Sequence, residues 1–519
     1  KAWYALANKA KKEGRRPPKK FGEFLKTKGG RAHASAMRDM INGGKLADDV
    51  DVIFTTYSQM QTVAGARTTR MDFLESFASG AVVIFDESHN AGGQDQRPKK
   101  GQEVDESGKT GRAGFSRTIA RVADSVLYSS ATYAKRPEVM DLYFKTDMGM
   151  AESAWGLKNA LLSGGVALQQ VVASMLARAG QYIRREKSFD GIEYATEMAD
   201  VDKVFAENAS TIMRDVMEFD RMKMAAIANL DQSIKADAST MTPDGSTGGA
   251  GASSTNFTSV MHNLISQMLL TLKVDPVVKM AIDAIQRGEK PVIALSNTMG
   301  SAIKEYAEEV GLAPGDPIAL SFADLMKRYL RKSRRVTVGN AYGEKHTHEM
   351  TDEELGEAAT RFYNKVMAKI DKMEFDSVPM SPIDAIKHRM AQAGYKTGEV
   401  TGRNELIDYS SDTPIFRRRP SSETKAAGRR KEIDDFNSGK LDAIILNQSG
   451  ASGVSMHSSE RFKDQRKRTM FIAQPELNID THMQMLGRIN RTGQVNNPSY
   501  AQLIADIPAE KRPAAVLSS

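Results

Sequence analysis

The stretch Ala81–Asn90, AVVIFDESHN, constrains this chain more than any other. A short apolar run with β-branched members leads straight into Asp86, Glu87, Ser88 and His89. Such a run predicts a strand buried on both faces, as in a parallel sheet. Carboxylates at its end then fall on the carboxyl edge of that sheet, where α/β folds bind ligands. An aspartate there can hold Mg2+ on a nucleotide's phosphates, directly or through water. The adjacent glutamate can orient and deprotonate an attacking water. A strand running into a plain acidic turn would read the same in isolation, so the rest of the chain has to decide.

With 519 residues the chain exceeds the size at which one core stops growing, and at least two domains are expected. Apolar residues make up 40% and charged residues 26%, ordinary for a water-soluble globular fold. No run is read as approaching the roughly 20 apolar residues of a membrane span, and no signal-peptide pattern opens the sequence. The absence of cysteine excludes disulfides and thiolate zinc sites but names no compartment by itself, and a reducing cytoplasm is the default expectation. A net charge of +7 favours a polyanionic partner. Basic clusters at Lys9–Lys20, Lys327–Arg335, Arg417–Arg419, Arg429–Lys431 and Arg461–Arg468 suggest a nucleic-acid track. The chain opens on Lys1 rather than Met, which reads as part of something longer.

Residues 1–48 are basic and helix-prone, broken by Pro17-Pro18 and Gly29-Gly30. Val50–Thr55 predicts a buried strand followed by Thr56-Tyr57-Ser58-Gln59, and a helix is expected around Met71–Phe77. A loop follows from Ala91 to about Phe115. Its Gly108-Lys109-Thr110 is not a phosphate loop, because the required earlier glycine is replaced by Glu103. Val126–Ser130 predicts another buried strand, ending in Ser130-Ala131-Thr132. From Ala151 to His262 a 3.6-residue apolar period predicts helices, with methionines as core filler, and Thr240–Thr255 reads as a linker. A second α/β block begins near Lys273, with a helix at Pro276–Ile285 and strands at Pro291–Leu295, Leu441–Leu446, Arg468–Ala473 and Ala501–Ala505. Residues 301–440 read as a helical, basic insertion containing a capping box at Thr351–Glu354. Its His346–Glu349 cluster lacks further ligands for a metal site. Strands alternating with helices in two blocks argue for two parallel-sheet domains.

The second block ends in Gln484-x-x-Gly487-Arg488-x-x-Arg491-x-Gly493-Gln494. Arginines three apart at a helix end point the same way. Guanidinium groups stabilise charge on a transferring phosphoryl group. The physical picture is of two sheets facing each other across a nucleotide, carboxylates from one and arginines from the other.

DESH at 86–89, SAT at 130–132, SGVS at 452–455 and QMLGRINRTGQ at 484–494 occur in the order of motifs II, III, V and VI of superfamily 2 helicases. FTTYSQ before DESH, ARAGQYIRREKSFDGIEY at 177–194, VDPVVKMAIDAIQRGEKPVIAL, FNSGKLDAIILNQSGASGVSMH and PELNIDTHMQMLGRINRTGQV resemble the strawberry notch helicase family, bacterial or phage branch. The resemblance spans roughly residues 45–510 and implies an α/β fold of two RecA-like parallel-sheet domains with helical insertions. It implies the first domain over 1–150 and a helical subdomain with linker over 151–265. The second domain would start at 266–300, carry the insertion 301–440 and finish at 441–519. Carried over by position, Asp86 binds Mg2+, Glu87 activates water and His89 links the site to the facing domain. Ser130 and Thr132 couple hydrolysis to movement. Thr56, Ser296, Ser452, Gly453 and Ser455 contact nucleic acid, Gln484 senses ATP, and Arg488 and Arg491 are arginine fingers.

One departure stands out: no GxGK[ST]-type phosphate loop occurs in these residues, so ATP hydrolysis is conditional on such a loop upstream of Lys1. The expected function is an ATP-dependent helicase or translocase core acting on nucleic acid, DNA by preference. The alternatives are an inactive helicase-like scaffold, or the motor of a phage or bacterial modification, restriction or anti-restriction enzyme fused to a methyltransferase or nuclease.

Overall fold

The computed structural model describes residues 28–43, 51–62, 67–92, 111–130, 137–150, 154–184, 188–241, 251–254, 257–339, 345–373, 378–447, 453–476, 478–508 and 510–511. The chain divides into two compact units, Lys1–Lys187 and Ser188–Ser519.

In the first unit a helix over Lys28–Gly43 runs through the Gly29-Gly30 pair expected to break it. A 3-10 turn at Tyr57–Met60 and a helix at Thr69–Ala78 follow; the Thr68 hydroxyl accepts from the Met71 amide and caps the helix. Strand β1 (Val82–Asp86) pairs in parallel with β2 (Ser125–Ser129), Asp86 opposite Ser129. A helix over Gly111–Val122 lies between them, and its start, to about Phe115, falls in what was expected to be loop. Phe85, Phe73, Leu74, Phe115 and Ile119 form the core beneath the pair.

Two expectations fail here. Residues 51–56 are extended but join no strand among the described residues, and Phe54 is 93% exposed. Nor are β1 and β2 buried on both faces: Val82, Ile84 and Leu127 are 67%, 64% and 56% exposed. Alternation along a strand sends Val83, Phe85, Val126 and Tyr128 to the core, while their neighbours on the other face meet no covering layer among the described residues.

The helix Ala154–Arg178 also departs from expectation. Its segment Asn159–Arg178 has the length and apolar composition of a membrane span, with mean hydropathy 1.5 and 11% of it buried. Gly165, at φ 55° and ψ −147°, breaks that helix in two. The 13 residues from Val166 to Arg178 reach only about 20 Å at 1.5 Å per residue, short of a ~30 Å hydrocarbon core.

The second unit is built on a six-stranded, all-parallel sheet in the order β3-β13-β12-β5-β11-β8. Its strands are β3 (Glu193–Met198), β5 (Lys290–Leu295), β8 (Thr397–Val400), β11 (Ala443–Asn447), β12 (Arg468–Ile472) and β13 (Ser499–Ile504). Every residue of β5, β11, β12 and β13 is buried. Ile293, Leu295, Ala443 and Ile445 meet the helices Val274–Gln286 and Pro382–Gln392 on one face. Val292, Ala294, Ile444 and Leu446 meet the helices Ala426–Asn437 and Ile479–Leu486 on the other. This is the doubly covered sheet that continuous apolar strands demand.

A separate apolar core joins segments that the sequence reading kept apart. The long helix Lys203–Met241 and the helix Phe257–Leu272 share Phe219, Met261, Leu264 and Met268 with Ile303, Phe322, Met326, Val366 and Ile370 from the insertion. Buried methionines fill it as expected. Strand β4 (Gly251–Ser254), inside the supposed linker, pairs with β6 (Arg335–Gly339), which pairs with β7 (Lys345–Glu349). The insertion is less helical than expected and does not extend to 440. Its β9 (Glu405–Asp408) and β10 (Ile415–Arg418) form a hairpin, and β8 belongs to the main sheet. The sequence of β8, TGEV, is too short and too polar to announce itself as a strand. The Thr351–Glu354 capping box forms in both directions, on a helix of only Asp352–Leu355.

Candidate functional site

At the carboxyl end of β1 the chain turns sharply through Glu87, whose φ of 49° makes it the sole non-glycine residue in the left-handed region among those described. Such a conformation costs about 1 kcal/mol or more and needs the surroundings to hold it. The Ser88 amide donates to the Ser129 carbonyl at 2.9 Å, and Asn90 and Ala91 donate back to Glu87 and Ser88. Below the turn, Tyr57, Phe85 and Tyr128 stack with ring centroids 6.5 and 5.9 Å apart, and Tyr143 meets Tyr128 edge-on at 4.9 Å. Tyr57 donates its phenol to the Asp86 carbonyl at 2.6 Å, and Tyr143 shares a 3.1 Å hydrogen bond with the buried Ser88 hydroxyl. Burial, and then the Asp86 charge, push the Tyr57 phenol up, so it remains a donor.

This ladder positions the side chains. His89 Nδ1 lies 2.8 Å from Ser130 Oγ and 3.4 Å from Glu87 Oε2. Glu87, His89 and Ser130, predicted separately, therefore form one constellation at the ends of β1 and β2. Asp86 is exposed, with Oδ1 accepting from the Glu87 amide at 3.1 Å. A hard oxygen ligand in an open position fits Mg2+, which keeps several waters and needs only one or two carboxylates. Thr132 lies outside the described residues. Thr56 precedes the turn Tyr57–Met60 and pairs its hydroxyl with that of Ser58 at 2.9 Å.

The second unit gathers the other predicted residues. Ser296 follows β5, and Gly453 and Ser455 follow β11, both departing from the carboxyl edge of the sheet. Gly453 has φ +75°, which a side chain would strain. Ser452 lies outside the described residues. Gln484 sits half-buried on the helix Ile479–Leu486. Arg488 and Arg491 are not on that helix, as spacing suggested, but in the turn beyond it, because Gly487 ends it. They converge all the same: Arg488 Nη1 and Arg491 Nη2 each donate to the Val454 carbonyl at 3.4 Å. The Met456 amide donates to the Arg488 carbonyl at 2.9 Å. The glycine-rich turn and the arginine segment thus form one structure.

Sequence reasoning missed a buried ion network beside β8. Arg403 donates from Nε to Glu399 Oε1 at 2.7 Å and from Nη1 to Asp384 Oδ2 at 2.7 Å, while Arg419 Nη1 lies 3.1 Å from Glu399 Oε1. Burial alone would raise the Glu399 carboxyl; Arg403, Lys387 and Arg419 together hold it far below the usual range. Arg403 Cβ is also what a side chain at Gly300 would meet, at 2.7 Å, so the first residue of the helix Gly300–Val310 has no room for one. The only signal was a glutamate inside a short strand.

A second missed cluster lies at the opposite, amino edge of the sheet. Lys290 donates to Asp464 Oδ2 at 2.6 Å and to the Phe436 carbonyl, with its ammonium 4.5 Å from the Phe436 ring centroid. Burial lowers this lysine to about 8 against the pull of Asp464.

Five of the six cations in the basic run Lys327–Arg335 have carboxylate partners. Lys327 pairs with Asp371, Arg328 with Glu309, Lys332 with Glu305, Arg334 with Asp352 and Arg335 with Glu349. Lys9–Lys20 lies outside the described residues.

Two family models match the chain. A family model described as P-loop containing NTP hydrolase pore-1 matches residues 11–208. Over those residues the chain is similar to P-loop NTP hydrolases. A model of the C-terminal domain on Strawberry notch homologue matches residues 381–519. The chain is 21% identical to protein strawberry notch homolog 1 of Rattus norvegicus, over 90% of this chain and 42% of that protein. It is 21% identical to protein strawberry notch homolog 2 of Mus musculus, over 90% of this chain and 39% of that protein. These matches support a strawberry notch-like helicase family for the chain, which spans about two fifths of the length of those relatives. Among solved structures the Pyrococcus furiosus Hef helicase domain is similar at 10% identity and a TM-score of 0.32, covering 86% of this chain and 74% of that one.

Proposed function

We propose that this chain is the core of an ATP-dependent nucleic-acid translocase or helicase, with DNA as the first substrate to test. The observation that carries this reading is the Glu87–His89–Ser130 constellation, held at the carboxyl end of a parallel strand by a left-handed glutamate. Asp86 would hold Mg2+, which supplies charge neutralisation on the phosphates when bound. Glu87 orients the attacking water and takes its proton. His89 transmits the state of Glu87 to Ser130. Arg488 and Arg491 answer the charge on the transferring phosphoryl group once their hold on the Val454 carbonyl is released. Contacts to nucleic acid run through the backbone and are salt-sensitive.

The test is ATP turnover by the full-length protein with and without single- and double-stranded DNA or RNA. Stimulated turnover, reduced about 100- to 10,000-fold by Glu87→Gln with nucleotide binding retained, is expected. Equal turnover in that variant would remove Glu87 from its role.

A second reading, a helicase-like module that holds nucleic acid without hydrolysis, is favoured by one observation. These 519 residues contain no complete phosphate-loop pattern. Binding of nucleic acid with no turnover by the full-length protein would decide for it.

A further inference from the structure

In the first unit an open cleft of about 460 Å3 lies between the helix Lys28–Gly43, the turn Tyr57–Met60 and the amino end of the helix Thr69–Ala78. We propose that this cleft is a phosphodiester subsite that takes the backbone of a nucleic-acid strand, with Arg38 and Arg70 as its charged anchors. The inference rests on the nucleic-acid reading above and extends it from Ser58 and Gln59 of FTTYSQ to two arginines outside every motif named so far.

Four features carry it. First, charge is unbalanced. Arg38 and Arg70 line the cleft, no acidic side chain does, and neither arginine has a carboxylate partner among the described residues. Asp72 and Glu75 hold Arg67, and Asp39, which accepts from Ser35 at 3.5 Å, is not among the residues lining the cleft. This contrasts with the run 327–335, where five of the six cations have carboxylate partners. Unmatched guanidinium groups sharing a concave surface form an anion site, because planar donors suit phosphate oxygens.

Second, the remaining lining is rich in hydrogen-bonding groups. Asn42, Ser58, Gln59 and Thr69 line it, and Gln59 Oε1 already accepts from the Thr55 hydroxyl at 3.2 Å, which leaves its amide NH2 as donor. Third, the cleft closes on a helix amino end. The Thr68 carbonyl takes the Met71 and Asp72 amides, leaving those of Thr69 and Arg70 without an intrahelical acceptor. Fourth, no aromatic ring lines it. Bases are usually held by stacking, so the recognised element is the sugar-phosphate chain and binding is indifferent to sequence. Ser58, which shares a hydrogen bond with Thr56, makes the cleft continuous with that predicted contact.

The experiment is binding of a fluorescent single-stranded oligonucleotide by the full-length protein, titrated at several salt concentrations, for wild type, Arg38→Ala/Arg70→Ala and Arg38→Lys/Arg70→Lys. Loss of two phosphate contacts at about 0.7 per contact lowers the salt slope by ~1.4 and weakens binding roughly 25-fold at 0.1 M salt. The lysine variant should keep the slope. Inorganic phosphate should compete only at concentrations far above the oligonucleotide's own dissociation constant. If wild type binds and the alanine variant shows the same affinity and slope, the subsite is wrong and the wider reading stands. If wild type does not bind any oligonucleotide, the wider reading falls and takes the subsite with it. A thermal melt matching wild type excludes misfolding of the alanine variant. If the melt drops, the single variants Arg38→Ala and Arg70→Ala, each expected to lose half the slope change, decide instead.

Discussion

The strands at the two candidate sites look alike as text and differ in burial. VVIFD in β1 and AIILN in β11 are both short apolar runs at the carboxyl edge of a parallel arrangement. Every residue of β11 is buried, between β5 and β8 and under helices on both faces. In β1 only Phe85 is fully buried, and β2 is its single described partner. An apolar strand therefore states what it requires, namely cover on both faces, but not what supplies it. Chemistry follows the same division. At the β1 turn polar groups are held by tyrosine hydroxyls and neutral hydrogen bonds, and the first unit buries the single pair Arg117–Asp141, whereas the second unit takes a whole network around Arg403 out of water.

That contrast can be broken by substitution, starting with the ion network. Arg403→Met leaves Glu399 and Asp384 buried without their main partner and should destabilise the second unit by about 3–5 kcal/mol. In the first unit Ser88→Ala should cost only about 1 kcal/mol, the value of one neutral hydrogen bond. Urea unfolding of the two variants measures both. Equal losses would mean the network is no stronger than the tyrosine ladder.

Burial predicts the next effect. Ile445→Ala should cost about 2–5 kcal/mol, as for any fully buried isoleucine. Ile84→Ala, at a position 64% exposed, should stay within about 0.5 kcal/mol. A loss of several kcal/mol at Ile84 in the full-length protein would show that this face is covered there.

The amino-edge cluster gives a pH signature. Lys290 falls from 10.5 in the unfolded chain to about 8 in the folded one, so burial opposes its charged form. Below pH 8 both states carry the proton and the penalty is constant. Between pH 8 and 10.5 the unfolded state binds more protons, so stability rises with pH through that window, by up to about 3 kcal/mol at 1.36 kcal/mol per unit. Chemical denaturation at pH 7.5, 9 and 10 should show this rise in wild type and lose it in Lys290→Met. A flat wild-type profile would mean the lysine is solvated.

Local patterns were legible where one short segment suffices. The strands at 290–295, 443–447, 468–472 and 499–504 follow from apolar runs, and the helix at 69–78 and the Thr351 box from spacing and capping chemistry. The order of DESH, SGVS and QMLGRINRTGQ pointed to the class before any contact was known. What stayed hidden depends on residues far apart in the chain. The apolar core shared by 203–272 and 300–373 needs the insertion folded back on the long helix, which no local period can state. The meeting of His89 with Ser130, and of both arginines with the Val454 carbonyl, is fixed by strand pairing and turn geometry. The sequence by itself determined which residues could do chemistry, because residue type and strand-end position are local properties. Tertiary structure alone decided which charges are matched and which are free. Arg334 and Arg70 are the same side chain on paper, yet Arg334 meets the Asp352 carboxylate while Arg70 lines an open cleft with no carboxylate partner among the described residues.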